Sequence, residues 1–224
     1  MSTFEPSAAG DSEVTRLGRL PVAVVGDVLD RLGLRAQVLD HGIRPAFPGA
    51  AFAGRAFTIE AVPSDTILES PYEHELAAVD AIPAGAVVMI ATAGCCEAAI
   101  WGGLLATRAV ARGAVAAVCD GAVRDVRELR LLALPTFATA VCARDSYGRL
   151  LVTGFGEEVA CGGVRVRSGD LVLGDEDGVV VVPAGVAEAA LAAAEEKLGL
   201  ERAAKEALEQ GETAAAMYER HGIL

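Results

Sequence analysis

Two short apolar runs, Ala86–Ala91 (AVVMIA) and 114–119 (AVAAVC), flank a helical pattern that runs from about Leu104 to Arg112 and stops at Gly113. Runs of that length read as buried strands, and a helix between two of them makes a βαβ unit. This unit commits the chain to an α/β fold. The remaining segments fit around it. Pro21 precedes a helical pattern through Val24, Val25, Val28, Leu29 and Leu32, ended by Gly33. Residues 57–62 alternate as a strand that Pro63 stops, and Leu76, Val79 and Ile82 mark a helix stripe ending at Pro83. Strands follow over 136–141, 164–167, 171–174 and 179–182, with 175–178 as a hairpin connection. An Ala-, Glu- and Lys-rich segment over 186–209 predicts a long helix. The first thirteen residues are polar and small and read as loose. The expected organisation is a loose segment over 1–19, one domain over 20–212 and a tail over 213–224 that frays or packs on a neighbouring subunit. No repeat of 20–50 residues and no low-complexity linker divides it.

Composition removes several function classes. With 53% hydrophobic and 22% charged residues, a chain of 224 residues can bury a substantial core. A net charge of −12 argues against a nucleic-acid surface, and 4% aromatic residues argue against base-stacking platforms. An anionic substrate would need a local positive site against that field. The five cysteines are odd in number and lack C-x-x-C spacing, which argues against a disulfide framework or a zinc site. They read as small buried hydrophobes. Cys95 and Cys96 fall in the loop before Gly102, where oxidation would disturb a site. The three histidines lie far apart and form no ligand cluster. Neither a signal pattern nor an apolar run long enough to span a bilayer is visible, so the expected location is cytoplasmic, with no membrane partner.

The chemistry concentrates in one place. Gly102-Gly103-Leu104-Leu105 opens the predicted helix, and Arg124-Asp125 follows Gly103 after twenty intervening residues, with Glu128 three further on. Both pairs fall beyond the carboxyl ends of neighbouring strands, where open α/β sheets gather ligands. A helix start offers unpartnered N–H groups to a carboxylate, and glycine allows close approach. Arg124 can grip a carboxylate with its planar fork, and Asp125 can hold a hard divalent cation. Plainer readings stand beside these. The glycines can make a turn, Asp125 can cap a helix, and Asp120, Arg127, Glu128 and Arg130 can form a solvated charge cluster. Asp120-Gly121 reads as a tight turn after its strand, and Asp175-Glu176-Asp177 as a solvated hairpin tip. Neither G-x-G-x-x-G nor a P-loop lysine is present to support nucleotide binding.

The run WGGLLATRAVARGAVAAVCDGAVRDVRELRLLALPTFA, with the later VRSGDLVLGDEDGVVVVP, resembles the RraA-like / 4-hydroxy-4-methyl-2-oxoglutarate (HMG) aldolase family over roughly residues 20–212. The resemblance implies an α/β fold of the swivelling β/β/α sandwich type, assembled as a homotrimer or homohexamer. It implies a class II pyruvate aldolase using Mg²⁺ or Mn²⁺ on a small 2-oxo acid, with oxaloacetate decarboxylation as a related activity. Carried over by motif, Gly102, Gly103, Leu104 and Leu105 would cradle the pyruvyl group. Arg124 would bind the carboxylate and oxo group, and Asp125 would be the one protein ligand to the metal, water filling the other positions. Glu201 matches loosely an acidic residue that reaches a neighbouring subunit's metal waters. Active aldolases often carry an acidic residue where this chain has Gly103, so its absence should weaken aldol cleavage more than enolate stabilisation. The same resemblance also covers regulators that inhibit a ribonuclease by protein contact, and related enzymes acting on a different 2-oxo acid.

Overall fold

A computed structural model describes residues 11–223 of the protein. Helices α1 (Ser12–Leu17) and α2 (Val22–Arg31) lead into a two-residue strand β1 (Arg44–Pro45) and the long strand β2 (Phe52–Pro63). Helix α3 (Glu73–Ala81) is followed by β3 (Ala86–Ala91), β4 (Ala99–Trp101), α4 (Gly103–Arg112) and β5 (Ala116–Val123). After α5 (Val126–Leu131) come β6 (Thr136–Val141), β7 (Leu150–Phe155) and a small hairpin, β8 (Val159–Cys161) with β9 (Val164–Val166). The hairpin β10 (Leu171–Asp175) and β11 (Gly178–Val182) precedes α6 (Ala187–Glu209) and α7 (Ala214–His221).

Nine strands form one mixed sheet in the order β1-β6-β5-β3-β2-β10-β11, with β4 beside β5 and β7 beside β2. Its centre, β2, β3, β5 and β6, is parallel. Every residue of β3 and β5 is buried, as a strand covered on both faces requires. Alternation divides these residues between two cores. Val88, Ile90, Ala117 and Cys119 face Ile82, Ala106 and Leu129 from the side of α3, α4 and α5. Val87, Met89, Ala116 and Val118 face the β8–β9 hairpin through Val159, Cys161, Val164 and Val166. A third cluster joins α1, α2 and α6 to the β10–β11 hairpin through Leu17, Leu29, Leu171, Val180 and Leu191. Small hairpin, main sheet and helices thus give the β/β/α layering expected of the sandwich.

Several local expectations need correction. Residues 12–17 are helical rather than loose, because Asp11 Oδ1 caps the Glu13 and Val14 N–H groups and Leu17 is fully buried; residues 1–10 lie outside the described part. Strand β2 begins at Phe52 and includes Pro63, which pairs with Leu150 at the strand end, where its missing N–H is harmless. Asp120-Gly121 is no turn: both residues lie inside β5, beside a register irregularity between Cys119 and Ala122. A Cβ on Gly121 would stand 2.3 Å from the Cys95 carbonyl oxygen, so glycine serves close backbone approach there. Strands β1, β4, β7 and β8 had no counterpart in the pattern reading, whereas β9 is the strand expected over 164–167. Beyond Gly211, α7 packs on α6 of the same chain, Met217 and Ile223 meeting Ala204 and Ala207.

Candidate active site

The site begins with a strand pairing. Strands β4 and β5 run parallel with Trp101 opposite Val123, so Gly102 and Arg124 leave the sheet side by side. The Arg124 N–H donates to the Trp101 carbonyl at 2.9 Å. Asp125 then takes a left-handed backbone (φ 56°, ψ 38°), a region aspartate tolerates better than most residues. The turn swings its carboxylate back, and Oδ2 accepts the Gly103 N–H at 2.9 Å. Asp125 therefore caps α4 across the turn, while its side chain makes no cap bond to its own helix, α5. A Cβ on Gly102 would stand 2.7 Å from Asp125 Oδ2 and 2.9 Å from Arg124 Cγ. Only glycine permits this approach. At Gly103 a Cβ would press on Glu128 Cγ at 3.0 Å.

The two residue pairs singled out by their spacing thus meet. The first bond within α4 runs from the Ala106 N–H to the Gly102 carbonyl, so the Leu104 and Leu105 N–H groups have no acceptor among the described residues. Leu104, Leu105 and Arg124 line a cavity of about 350 Å³. Leu76, Trp101, Leu104 and Leu105 form its apolar wall. The polar side holds Tyr72, Glu75, Arg124, Asp125, Asp145 and Ser146. Arg124 Nη2 lies 3.2 Å from Asp145 Oδ1, and the Tyr72 hydroxyl donates to Asp145 Oδ2 at 2.7 Å. That bond to Asp145, reinforced by burial, pushes the Tyr72 phenol up to about 12. Burial, and next the neighbouring Asp145, push the Glu75 carboxyl up to about 7, while Arg124 and the Ser146 hydroxyl oppose the rise. Trp101, the one tryptophan in the chain, is 2% exposed, and its Nε1 has no hydrogen-bond partner among the described residues.

Pattern reasoning missed Tyr72, Glu75 and Asp145. Glu75 left a signal: with Ala78, Val79 and Ile82 it completes the i, i+3, i+4, i+7 stripe that α3 buries, so a carboxylate stands on an apolar face. Asp145 lies in the loop between β6 and β7 and left none. Glu201 is not among the cavity's lining residues. On α6 it pairs with the buried Lys197, which also meets Asp27 of α2 at 3.0 Å. A larger cavity of about 640 Å³ lies at the opposite ends of the parallel strands, near Ala86 and Pro135. Its charged lining residues, Arg55 and Asp11, are paired with each other, and α/β sheets bind ligands at the carboxyl ends instead.

Among the described residues no three Asp, Glu, His or Cys side chains group as a metal cage. The donor chemistry fits a different mode. Asp125 is half-exposed, with one oxygen engaged by the Gly103 N–H and the cavity beside it. One oriented carboxylate with room for water and substrate suits Mg²⁺, which dehydrates reluctantly, or Mn²⁺. The cysteines carry no disulfide; Cys119 and Cys161 are buried, and burial raises both thiols out of the reactive range. No helix of the described residues is long and apolar enough to cross a membrane.

Comparison with known proteins converges on one family. The sequence profile of the RraA-like (Aldolase/RraA) family matches residues 22–181. A protein of Halalkalibacterium halodurans, provisionally named a 4-hydroxy-4-methyl-2-oxoglutarate aldolase, is 31% identical over 210 residues, spanning 92% of each chain. A solved, uncharacterized protein of Pseudomonas syringae pv. tomato matches with a TM-score of 0.81 at 26% identity, over 96% of this chain and 99% of that one. Streptomyces coelicolor RraAS2, described as an unusual member of the RNase ES inhibitor RraA protein family, matches with a TM-score of 0.79 at 27% identity. That match covers 89% of this chain and 99% of the Streptomyces one.

Proposed function

The chain belongs to the RraA-like (Aldolase/RraA) family, and from that premise we propose that it is a divalent-metal-dependent lyase releasing pyruvate from a short 2-oxo acid. The reactions proposed are retro-aldol cleavage of 4-hydroxy-4-methyl-2-oxoglutarate-type substrates and decarboxylation of oxaloacetate. The observation that carries this reading is the contact of Gly102-Gly103 with Arg124-Asp125 on a cavity with one apolar and one polar wall. Asp125 would hold the Mg²⁺ or Mn²⁺ ion, which when bound supplies Lewis-acid polarisation of the 2-oxo group.

The chain's own groups do the rest. Arg124 grips the substrate's carboxylate and 2-oxo oxygen, and its charge stabilises the enolate that forms as the C3–C4 bond breaks. Asp145, itself held by the Tyr72 hydroxyl, braces the guanidinium. The Leu104 and Leu105 N–H groups receive the carboxylate at the positive end of α4. Trp101 and Leu105 exclude water from the reacting carbons. Gly103 leaves no acidic side chain at its own position to help take a hydroxyl proton, which favours decarboxylation over aldol cleavage, since breaking the carbon–carbon bond of oxaloacetate requires no hydroxyl to be deprotonated. The proposal includes assembly as a homotrimer or homohexamer, with Glu201 of one copy reaching the site of the next.

The test is pyruvate release from oxaloacetate and from HMG, each with Mg²⁺, Mn²⁺ and chelator, for wild type and Asp125→Ala. Metal-dependent release is expected, falling about 10²-fold or more in the variant. Oxalate, an enolate mimic, should change Trp101 fluorescence with wild type and metal, and not after Asp125→Ala. Release no greater than that of the metal alone from both substrates would overturn the reading. A protein-binding role like that of the RraA inhibitors would then take its place.

A further inference from the structure

A pyruvate enolate becomes pyruvate only when C3 receives a proton, so the cavity needs a donor that is not already committed. Four of its ionisable groups fail that requirement. Arg124 is the substrate's anchor, and its guanidinium is engaged by Asp145. Asp125 accepts from Gly103 and faces the metal position. Asp145 has one oxygen on Arg124 and the other on Tyr72, and the Tyr72 proton is spent on that bond. The remaining group is Glu75. It stands half-buried on α3, lining the same cavity as Arg124 and beside Ser146.

Resting on the lyase reading above, we infer that Glu75 is the proton donor of this site, delivering its carboxyl proton to C3 of the enolate and reclaiming it afterwards. In that step the Glu75 O–H bond breaks and a C–H bond forms at C3, while the enolate electron pair moves to make it and the C2=O double bond returns. Glu75 is left as a carboxylate. For a 4-hydroxy substrate the hydroxyl proton passes to solvent water as the carbon–carbon bond breaks and Glu75 regains its proton from water, so the net transfer is from the hydroxyl to C3; for oxaloacetate the replacement proton comes from water. The surroundings suit the task. Burial beside Asp145 places the Glu75 titration at about 7, where a group can both give and take a proton. The other elements packed on α3 do not compete. Strand β7 offers Leu150 and Val152, and the nearby charge of α4, Arg108, is paired with Asp80 at 2.6 Å.

The experiment follows the reverse half of the step, exchange of the pyruvate methyl protons in D₂O, by NMR with the Mg²⁺-loaded protein. Here the Glu75 carboxylate removes the proton, so wild-type exchange should rise with pH through about 7. Glu75→Gln should slow exchange about 10²-fold and abolish that limb. Glu75→Asp, which keeps the acid, should restore part of the rate and guards against a misfolded amide variant. Oxalate binding, read from Trp101 fluorescence, should change by no more than about threefold in both variants, because no proton moves. Exchange in Glu75→Gln within about threefold of wild type, with the same pH profile, overturns the role while leaving the lyase reading intact. A wild type that neither exchanges nor releases pyruvate overturns both.

Discussion

At Asp125 the backbone takes a conformation that costs an L-residue about 1–2 kcal/mol, and the compensation is the bond its carboxylate accepts from the Gly103 N–H. A right-handed residue there would direct the carboxylate away from Gly103. Asp120, five residues earlier, does structural work instead. Only 7% exposed, it accepts from the Thr92 N–H at 2.6 Å and the Thr92 hydroxyl at 2.8 Å through Oδ1, and Gly162 N–H lies 3.4 Å from Oδ2. Asp120→Ala would strand the Thr92 donors and should destabilise the fold by about 3 kcal/mol, measured by urea unfolding. Asp120→Asn keeps an acceptor and should cost less than half as much; equal losses would show that acceptor geometry is not what matters. Read as a dipeptide, Asp120-Gly121 signals a turn, because both residues favour turns. What makes them strand residues is the 92–95 loop pressing on β5, a contact between segments nearly thirty residues apart that no local pattern encodes. The spacing of Gly103 and Arg124, by contrast, was legible, since one βα unit fixes where both must emerge.

Among the elements, α1 shows how a six-residue helix becomes ordered. Its cap, Asp11, also receives the Arg55 Nε at 2.6 Å; Glu13 receives Nη2 at the same distance, and Arg16 bridges to Glu188 and Glu195 on α6. The hydrogen bond from Arg55 lowers the Asp11 carboxyl below its ordinary 3.8. A depressed carboxyl stabilises the fold above its unfolded value and ceases to do so as pH falls through its folded one. Hydrogen exchange of residues 12–17 should therefore stay slow above pH 4 and accelerate below it. Asp11→Ala should lose about 1 kcal/mol through the cap, with little more from a partly exposed ion pair. Slow exchange retained in that variant at pH 3 would count against the clamp. Length helps decide which elements were legible. The 23-residue α6 and six-residue β3 carry enough pattern to be read, whereas β4 and β8 have three residues each. Their existence depends on the partner strand rather than their own pattern.

Over the whole molecule, charge and apolar exposure pull in opposite directions. Each chain carries −12, which repels both an anionic substrate and a second copy. Yet Leu104 is 88% exposed and Leu76 55% exposed on the cavity wall, with Leu131 at 71% on the neighbouring α5. Burying such side chains on a partner would contribute about 2 kcal/mol each. It would also close the cavity mouth and give Glu201, engaged with Lys197 in its own chain, a site to reach in the next. The proposed trimer or hexamer should sediment at three or six times 22.9 kDa. Because the subunits repel one another, added salt should strengthen assembly. Leu104→Glu adds a charge to the same contact and should shift the protein toward monomer, lowering pyruvate release with it. A wild type that sediments as a monomer at every salt concentration and still turns over would place the whole site within one chain, and Glu201 outside it.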